Sequence, residues 1–179
     1  MEIKDSPPPC GEVEKSWSDF SGGGPHAPPG TAVIAVARSW IGTPYIHQAS
    51  VKGAGCDCLG LLRGVWRELN GQEPEEPPPY SPDWAESTVT ESLYQALRRH
   101  MTQIKRADLA PGDVALFRMT RSGPAKHCGI VASQVLPLTF EGARETIVTL
   151  IHARQNRRVA EETLTPFWHS RLAYAFRLT

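Results

Sequence analysis

The stretch GCDCLGLLRGVWREL, residues 55–69, places a cysteine at the start of a segment whose apolar residues recur at helical spacing. This periodicity predicts a helix from Cys58 to about Leu69, with Asp57 as its N-cap. A thiol in the first turn of a helix faces backbone N–H groups that have no partner within the helix, and these lower its pKa toward the thiolate form. Cys58 is therefore a candidate nucleophile.

Cys58 also has a purely structural interpretation, because free cysteine is often a small core residue. The same helical face carries four apolar side chains: Leu62, Val65, Trp66 and Leu69. Small residues flank the helix start, and these are Gly53, Gly55 and Gly60. Packing alone does not require glycine at these positions. A substrate backbone that approaches the helix start would require it, so these glycines favour a reactive site.

Two histidines later in the sequence are candidates for the base that a thiol nucleophile needs. His127 opens the apolar run HCGIVAS and is expected near a sheet edge, where a solvated histidine is the alternative. His152 lies inside the run IVTLIHA, so its ring needs a hydrogen-bond partner if it is buried. That partner is either the ring of His127 or a backbone carbonyl. The first choice gives Cys58 a base and a group that orients the base.

A zinc site is the competing interpretation of the same residues. Its ligands would be Cys56, Cys58, His127 and Cys128. Neighbours on a strand point to opposite faces of a sheet, so His127 and Cys128 are poorly placed to bind one ion together. Metal binding is therefore the weaker alternative.

Bulk composition argues against several functional classes. Nineteen basic and nineteen acidic side chains cancel among 179 residues, so no overall field attracts nucleic acid or an anionic membrane surface. No apolar run approaches the roughly 18 residues of a membrane span, and the sequence does not begin like a secretion signal. Four irregularly spaced cysteines do not indicate a disulfide framework. We expect a protein made in the cytoplasm, without a membrane anchor and without a nucleic-acid partner.

The composition changes near residue 30. Residues 1–29 are rich in Pro, Gly and Ser and predict a flexible segment. Further helices are predicted over TAVIAVARSWIG, with Thr31 as N-cap, and over ESTVTESLYQALRRHM. Strands are predicted in VALFRM, HCGIVAS, ETIVTLIHA, RRVAEETL and LAYAFRL. Residues 30–179 should therefore form one α+β domain, an antiparallel sheet with helices packed on one side.

The chain resembles the NlpC family of cell-wall peptidases, papain-like enzymes that cut the peptide stems of peptidoglycan. The resemblance covers roughly residues 31–179 and rests on GTPY, DCLGL, APGDVALF, HCGI and LIHA. It implies a papain-like fold with Cys58 as nucleophile, His127 as base and His152 as the group that orients the base. It also implies that Tyr45 helps to bind substrate or oxyanion, and the alternative is a ring that closes the edge of the core.

The resemblance further implies acyl transfer without a cofactor. The thiolate attacks a stem-peptide carbonyl, the histidine protonates the leaving amine, and water hydrolyses the thioester. The bond usually joins D-glutamate to a diamino acid such as diaminopimelate. The family commonly has serine where this chain has Leu59. Backbone N–H groups rather than that side chain are expected to stabilise the oxyanion, so Leu59 does not exclude activity.

The sequence around Cys58 most resembles the branch of the family that is found in tails of phages and phage-like gene transfer agents. This implies incorporation into a virion tail, tail or baseplate proteins as partners, and residues 1–29 as a tether. The alternatives are a structural tail component without activity, a thiol or metal-binding module, and a cytoplasmic hydrolase that acts on another acyl group.

Overall fold

The computed structural model describes residues 28–80, 90–135 and 147–178. In chain order its elements are α1 (Gly30–Ser39), β1 (Ser50–Val51), β2 (Gly55–Cys56), α2 (Cys58–Asn70), α3 (Ser92–His100), β3 (Met101–Ile104), a 3-10 turn (Arg106–Asp108), β4 (Val114–Arg118), β5 (Ala125–Val135), β6 (Ile147–His152), β7 (Ala160–Thr163), α4 (Pro166–Arg171) and β8 (Leu172–Leu178). None of these helices is long and apolar enough to cross a membrane.

Six strands form one antiparallel sheet in the order β3-β8-β4-β5-β6-β7. β1 and β2 form a separate two-stranded hairpin directly before α2. The predicted α+β class and antiparallel sheet are confirmed, and the five predicted apolar runs become β4 to β8. β3 was not predicted, because Met101 continues the helical pattern of the preceding residues although the backbone there is extended.

The sheet separates two hydrophobic clusters. Val114 and Leu116 of β4 pack with apolar residues of α1, α2 and α3, whereas Ala115 and Phe117 pack on the opposite face with Trp168 of α4. The three longer helices therefore lie on one face of the sheet, as expected. The short α4 covers part of the other face, which explains why the residues 114–117 of β4 are all apolar and buried.

The start of α2 is fixed by Asp57, which caps the helix as predicted. One carboxylate oxygen accepts from the Gly60 N–H at 2.7 Å. The other accepts from the Gln48 N–H at 2.7 Å and from the Tyr80 hydroxyl at 2.5 Å. Asp57 is only 2% exposed, so these bonds are formed away from water. They hold the loop before β1 and the first turn of α2, with Cys58, in one arrangement.

Packing requires two of the glycines near this helix start. A Cβ at Gly60 would lie 1.8 Å from the backbone oxygen of Ala49, and one at Gly55 would lie 2.4 Å from the side chain of Ile46. The loop before β1 can press against α2 only because Gly60 has no side chain. This corrects the expectation that these glycines are not needed for packing.

Two further expectations concern the beginning of the domain. α1 begins at Gly30 with Pro29 at the N-cap position, and no side chain caps it, so the predicted role of Thr31 is wrong. The predicted flexible segment falls almost entirely on residues 1–27, which lie outside the described residues. Its flexibility and the boundary at residue 30 therefore stay predictions.

Candidate active site

Cys58 lies at the N-terminus of α2, against the first residues of β5. Its sulfur is 3.9 Å from the backbone oxygen of Lys126. Cys58 is partly exposed, whereas Cys56 and Cys128 are buried. Of the three described cysteines, Cys58 is therefore the one that begins a helix and is partly accessible to solvent.

The surroundings of Cys58 hold the pKa of its thiol well below the usual value. The largest cause is a hydrogen bond from the thiol of Cys128, and burial acts against it. The ring of His127 adds a hydrogen bond and a positive charge, and the backbone N–H of Cys128 adds a further bond. The arrangement favours a thiolate paired with an imidazolium, which is the reactive form of a cysteine nucleophile.

Cys128 was given no role in the sequence analysis except as a zinc ligand. Its sulfur lies 3.3 Å from the backbone oxygen of Cys58. Its single proton therefore has two acceptors, that oxygen and the Cys58 sulfur. The hydrogen bond to Cys58 and burial raise the pKa of Cys128 well above its usual value. Cys128 thus stays a neutral donor while Cys58 ionises.

The rings of His127 and His152 meet as the sequence analysis proposed. His127 Nε2 and His152 Nδ1 are 3.0 Å apart. The two residues are 8% and 2% exposed, so His127 is buried rather than solvated. Because Nε2 of His127 is used in this bond, Nδ1 is the ring atom left for Cys58.

Glu162 of β7 extends this chain of side chains and was missed by the sequence analysis. Its Oε2 lies 3.3 Å from His152 Nε2, and its Oε1 accepts from Arg154 at 3.1 Å. A carboxylate can only accept a hydrogen bond, so Nε2 of His152 carries the hydrogen and Nδ1 is free to accept a hydrogen bond from His127. Burial, and then the charge of His127, lower the pKa of His152 to about 4, which keeps its ring neutral at neutral pH.

Trp168 of α4 covers the two histidines from the opposite face of the sheet. Its ring stacks on His127 with centroids 5.0 Å apart at 27°, and it meets the ring of His152 edge-on at 5.3 Å. Trp168 is 6% exposed. An aromatic ring stacked on an imidazole restricts its orientation and excludes water from that face.

Tyr45 lies beside the nucleophile. It forms an isolated bridge with Cys56, two residues before Cys58. Burial, followed by the negative charges of Cys58 and Asp57, raises the pKa of the Tyr45 hydroxyl to about 12. The hydroxyl therefore remains a proton donor at neutral pH.

The residues of the proposed zinc site are not arranged around one metal position, although His127 and Cys128 both act on Cys58. His127 stacks on Trp168, whereas Cys128 belongs to the core on the helix side of the sheet. Burial, and then the charges of Asp57 and Cys58, raise the pKa of the Cys56 thiol to about 12, which opposes the thiolate form that zinc binds. Among the described residues, no three His, Cys, Asp or Glu side chains are arranged to hold a metal ion.

Comparison with known proteins supports the fold. No family model matches the chain, and no curated protein does either. Solved structures match. The NlpC/p60 domain of the peptidoglycan hydrolase SagA has 23% identity and a TM-score of 0.53, over 83% of this chain and 98% of that domain. A protein of the NLP/P60 family from Staphylococcus aureus, similar to a lipoprotein, has 16% identity and a TM-score of 0.54 over 83% of this chain. NlpC2 from Trichomonas vaginalis has 17% identity and a TM-score of 0.54, again over 83%.

This chain covers 41% of the S. aureus protein and 46% of the T. vaginalis protein, less than half of each. At such identities the similarity shows the fold alone. The expected NlpC-type, papain-like α+β fold is thereby confirmed.

Proposed function

We propose that this chain is a cysteine peptidase that cleaves the peptide stems of bacterial peptidoglycan. The observation that carries the proposal is the hydrogen-bonded series His127–His152–Glu162 beside Cys58, whose thiol pKa the ring of His127 helps to lower. The shared fold with NlpC/p60 domains, one of them from a peptidoglycan hydrolase, supports the substrate class.

The first half of the reaction forms an acyl-enzyme. The Cys58 thiolate attacks the carbonyl carbon of the scissile peptide bond, and the carbonyl electrons move to oxygen. When the carbonyl re-forms, the C–N bond breaks and His127 gives its proton to the leaving amine. The neutral ring of His152 accepts from Nε2–H of His127 throughout, so the base keeps one tautomer and one orientation.

The second half releases the acyl group. Water attacks the thioester carbonyl, His127 takes the proton of that water, and the C–S bond breaks to return the Cys58 thiolate. Both tetrahedral intermediates carry an oxyanion. The first N–H groups of α2 have no partner within the helix, and the Asp57 carboxylate takes that of Gly60. The N–H of Cys58 and the hydroxyl of Tyr45 are the donors we assign to the oxyanion.

Digestion of purified sacculi tests this function. The full chain should release stem-peptide fragments that mass spectrometry identifies, with the cut expected between D-glutamate and a diamino acid such as diaminopimelate. Cys58→Ala should abolish release. Cys56→Ala is the matched control, because it removes a buried thiol two residues away that is not in the proposed reaction. Intact stem peptides after treatment with the wild-type chain would contradict the proposal.

We also propose that the enzyme is carried in the tail of a phage or phage-like particle. This proposal is supported by the resemblance of the sequence around Cys58 to that branch of the family. Particles assembled with Cys58→Ala should contain the protein at normal amounts but should fail to open the cell wall. Particles that assemble and penetrate normally with this variant would instead indicate a structural tail component without enzymatic activity.

A further inference from the structure

One end of the sheet carries a groove of about 760 Å³ that the proposed reaction does not use. β3, the 3-10 turn, the end of β4, α4 and the start of β8 form its walls. Five cationic residues line it: Lys105, Arg106, Arg118, Arg121 and Arg171. No acidic residue of the described chain is among its lining residues. Because the formal charges of the whole chain cancel, this cationic groove is a local excess of positive charge.

Two of the arginines are held in place by neutral backbone carbonyl groups. Arg106 Nη1 donates to the backbone oxygen of Leu172 at 3.0 Å, and Arg171 Nη1 donates to the backbone oxygen of Met119. A guanidinium has five N–H donors, so one bond to a neutral carbonyl leaves both the charge and most donors for another ligand. These two side chains are therefore positioned as anion-binding groups.

The remaining three cations differ in their partners. Arg118 forms an ion pair with Glu91, which partly neutralises it. The side chains of Lys105 and Arg121 are exposed, and in the described part of the chain no hydrogen bond or ion pair involves them. They can be replaced without breaking a contact of the fold.

The cationic groove adjoins the candidate active site through β4. Phe117 pairs with His127 on one side and with Leu172, a groove residue, on the other. Glu91, the partner of Arg118, also accepts from the Ala125 N–H at 2.9 Å, two residues before His127. Neighbouring strands are about 4.8 Å apart, so the groove on β4, β8 and β3 begins about 5 Å from β5 and ends about 15 Å from it. An extended peptide covers that distance in about two to four residues.

We propose that the cationic groove binds carboxylate groups of the stem peptide on one side of the scissile bond. This inference rests on the proposed function and adds a binding subsite to it. Glutamate and diaminopimelate each have two carboxyl groups, and a linear peptide uses one of them in its backbone. Each such residue therefore keeps a free carboxylate, and guanidinium groups bind carboxylates through paired hydrogen bonds.

Binding to the full-length Cys58→Ala chain tests the subsite without turnover. The probes are a synthetic stem tetrapeptide that contains D-glutamate and diaminopimelate, and the same peptide with its free carboxylates converted to carboxamides. We expect Lys105→Gln combined with Arg121→Gln to weaken calorimetric binding of the carboxylate peptide by roughly 3- to 30-fold, from two exposed ion pairs. The difference should shrink at high salt. Arg98→Gln, an exposed cation of α3 outside the groove, is the control and should change nothing.

Three results would overturn the proposal. The first is equal affinity of the double variant and its parent for the carboxylate peptide. The second is a weakening toward the carboxamide peptide as large as that toward the carboxylate peptide. The third is tighter binding of inorganic phosphate than of the peptide, which would indicate a phosphate site. Failure of the proposed function appears separately, as sacculi left uncut by the wild-type chain, because the binding measurement uses a variant that cannot cleave.

Discussion

His152 should make the stability of this protein depend on pH, and one substitution should remove that dependence. Its ring is 2% exposed and its pKa is lowered to about 4 in the folded chain, chiefly by burial. In the unfolded chain the pKa returns to about 6.5. Between these values the unfolded state binds more protons than the folded state, so stability is lost as the pH falls from about 6.5 to about 4.

The size of the effect follows from the two pKa values. Protonation of the unfolded state at pH 4.5, compared with pH 7.5, lowers the free energy of unfolding by about 2.5 kcal/mol through His152 alone. His152→Gln removes this titration. The glutamine amide keeps one acceptor and one donor, so it can still bond to both neighbours in the chain from His127 to Glu162.

Urea unfolding at pH 7.5 and pH 4.5 measures the effect. The wild-type chain should lose about 2.5 kcal/mol more than His152→Gln between the two pH values. His169→Gln replaces an exposed histidine and should behave like the wild type. Comparing differences between pH values cancels any general destabilisation by the substitution. If wild type and His152→Gln lose the same free energy, the argument that His152 is held neutral by burial is refuted.

Substitutions at three further residues test neighbouring parts of the structure. Cys128→Ala removes the largest interaction that lowers the pKa of Cys58, so alkylation of Cys58 by iodoacetamide, followed by peptide mass spectrometry, should shift to higher pH; an unchanged profile contradicts this. Glu162→Ala leaves the Nε2–H of His152 without its acceptor and should lower kcat on stem peptides by about tenfold. Glu162→Gln keeps an acceptor and should retain more activity, so equal losses in the two variants would show that Glu162 does not orient the ring. Gly60→Ala should cost about 3 kcal/mol or more in urea unfolding, because its Cβ would lie 1.8 Å from a backbone oxygen, and near-wild-type stability would rule out that contact.

Much of the fold could be predicted because its signals are local. The helical spacing after Cys58, the Asp57 cap and the apolar run of β4 each depend on neighbouring residues. The candidate nucleophile and the two histidines could be proposed for a different reason. Their side chains have chemistry that few other residues supply, and a histidine inside an apolar run needs a partner wherever the strand lies.

The remaining site residues depend on strand register, which no local pattern determines. Glu161 and Glu162 are adjacent on β7 and are indistinguishable in the sequence. In the structure Glu161 pairs with Arg38, whereas Glu162 bonds to His152 on the other side of the strand. Only the pairing of β6 with β7 decides which carboxylate reaches the ring. The contact of Trp168 with the histidines could not be predicted either, because its helix packs on the face of the sheet where no helix was expected.

The contact of Cys128 with Cys58 was missed for a related reason. Alternation along a regular strand separates His127 from Cys128, and this argument was used against a shared metal ion. The pairing of β4 with β5 shifts register between Phe117 and Arg118, next to the start of β5. His127 and Cys128 themselves pair regularly with Phe117 and Leu116, and both still act on Cys58 because the N-terminus of α2 lies against the start of β5.

The position of β8 has a consequence for biosynthesis. This strand is the last of those described along the chain, yet it lies between β3 and β4 inside the sheet. While the polypeptide emerges from the ribosome, one edge of β4 stays unpaired until residues 172–178 are released. We expect stalled nascent chains that end before Leu172 to be cleaved readily by added protease, and chains extended past Leu178 to resist. Translation of that strand would then time the completion of the sheet whose β5 strand carries His127.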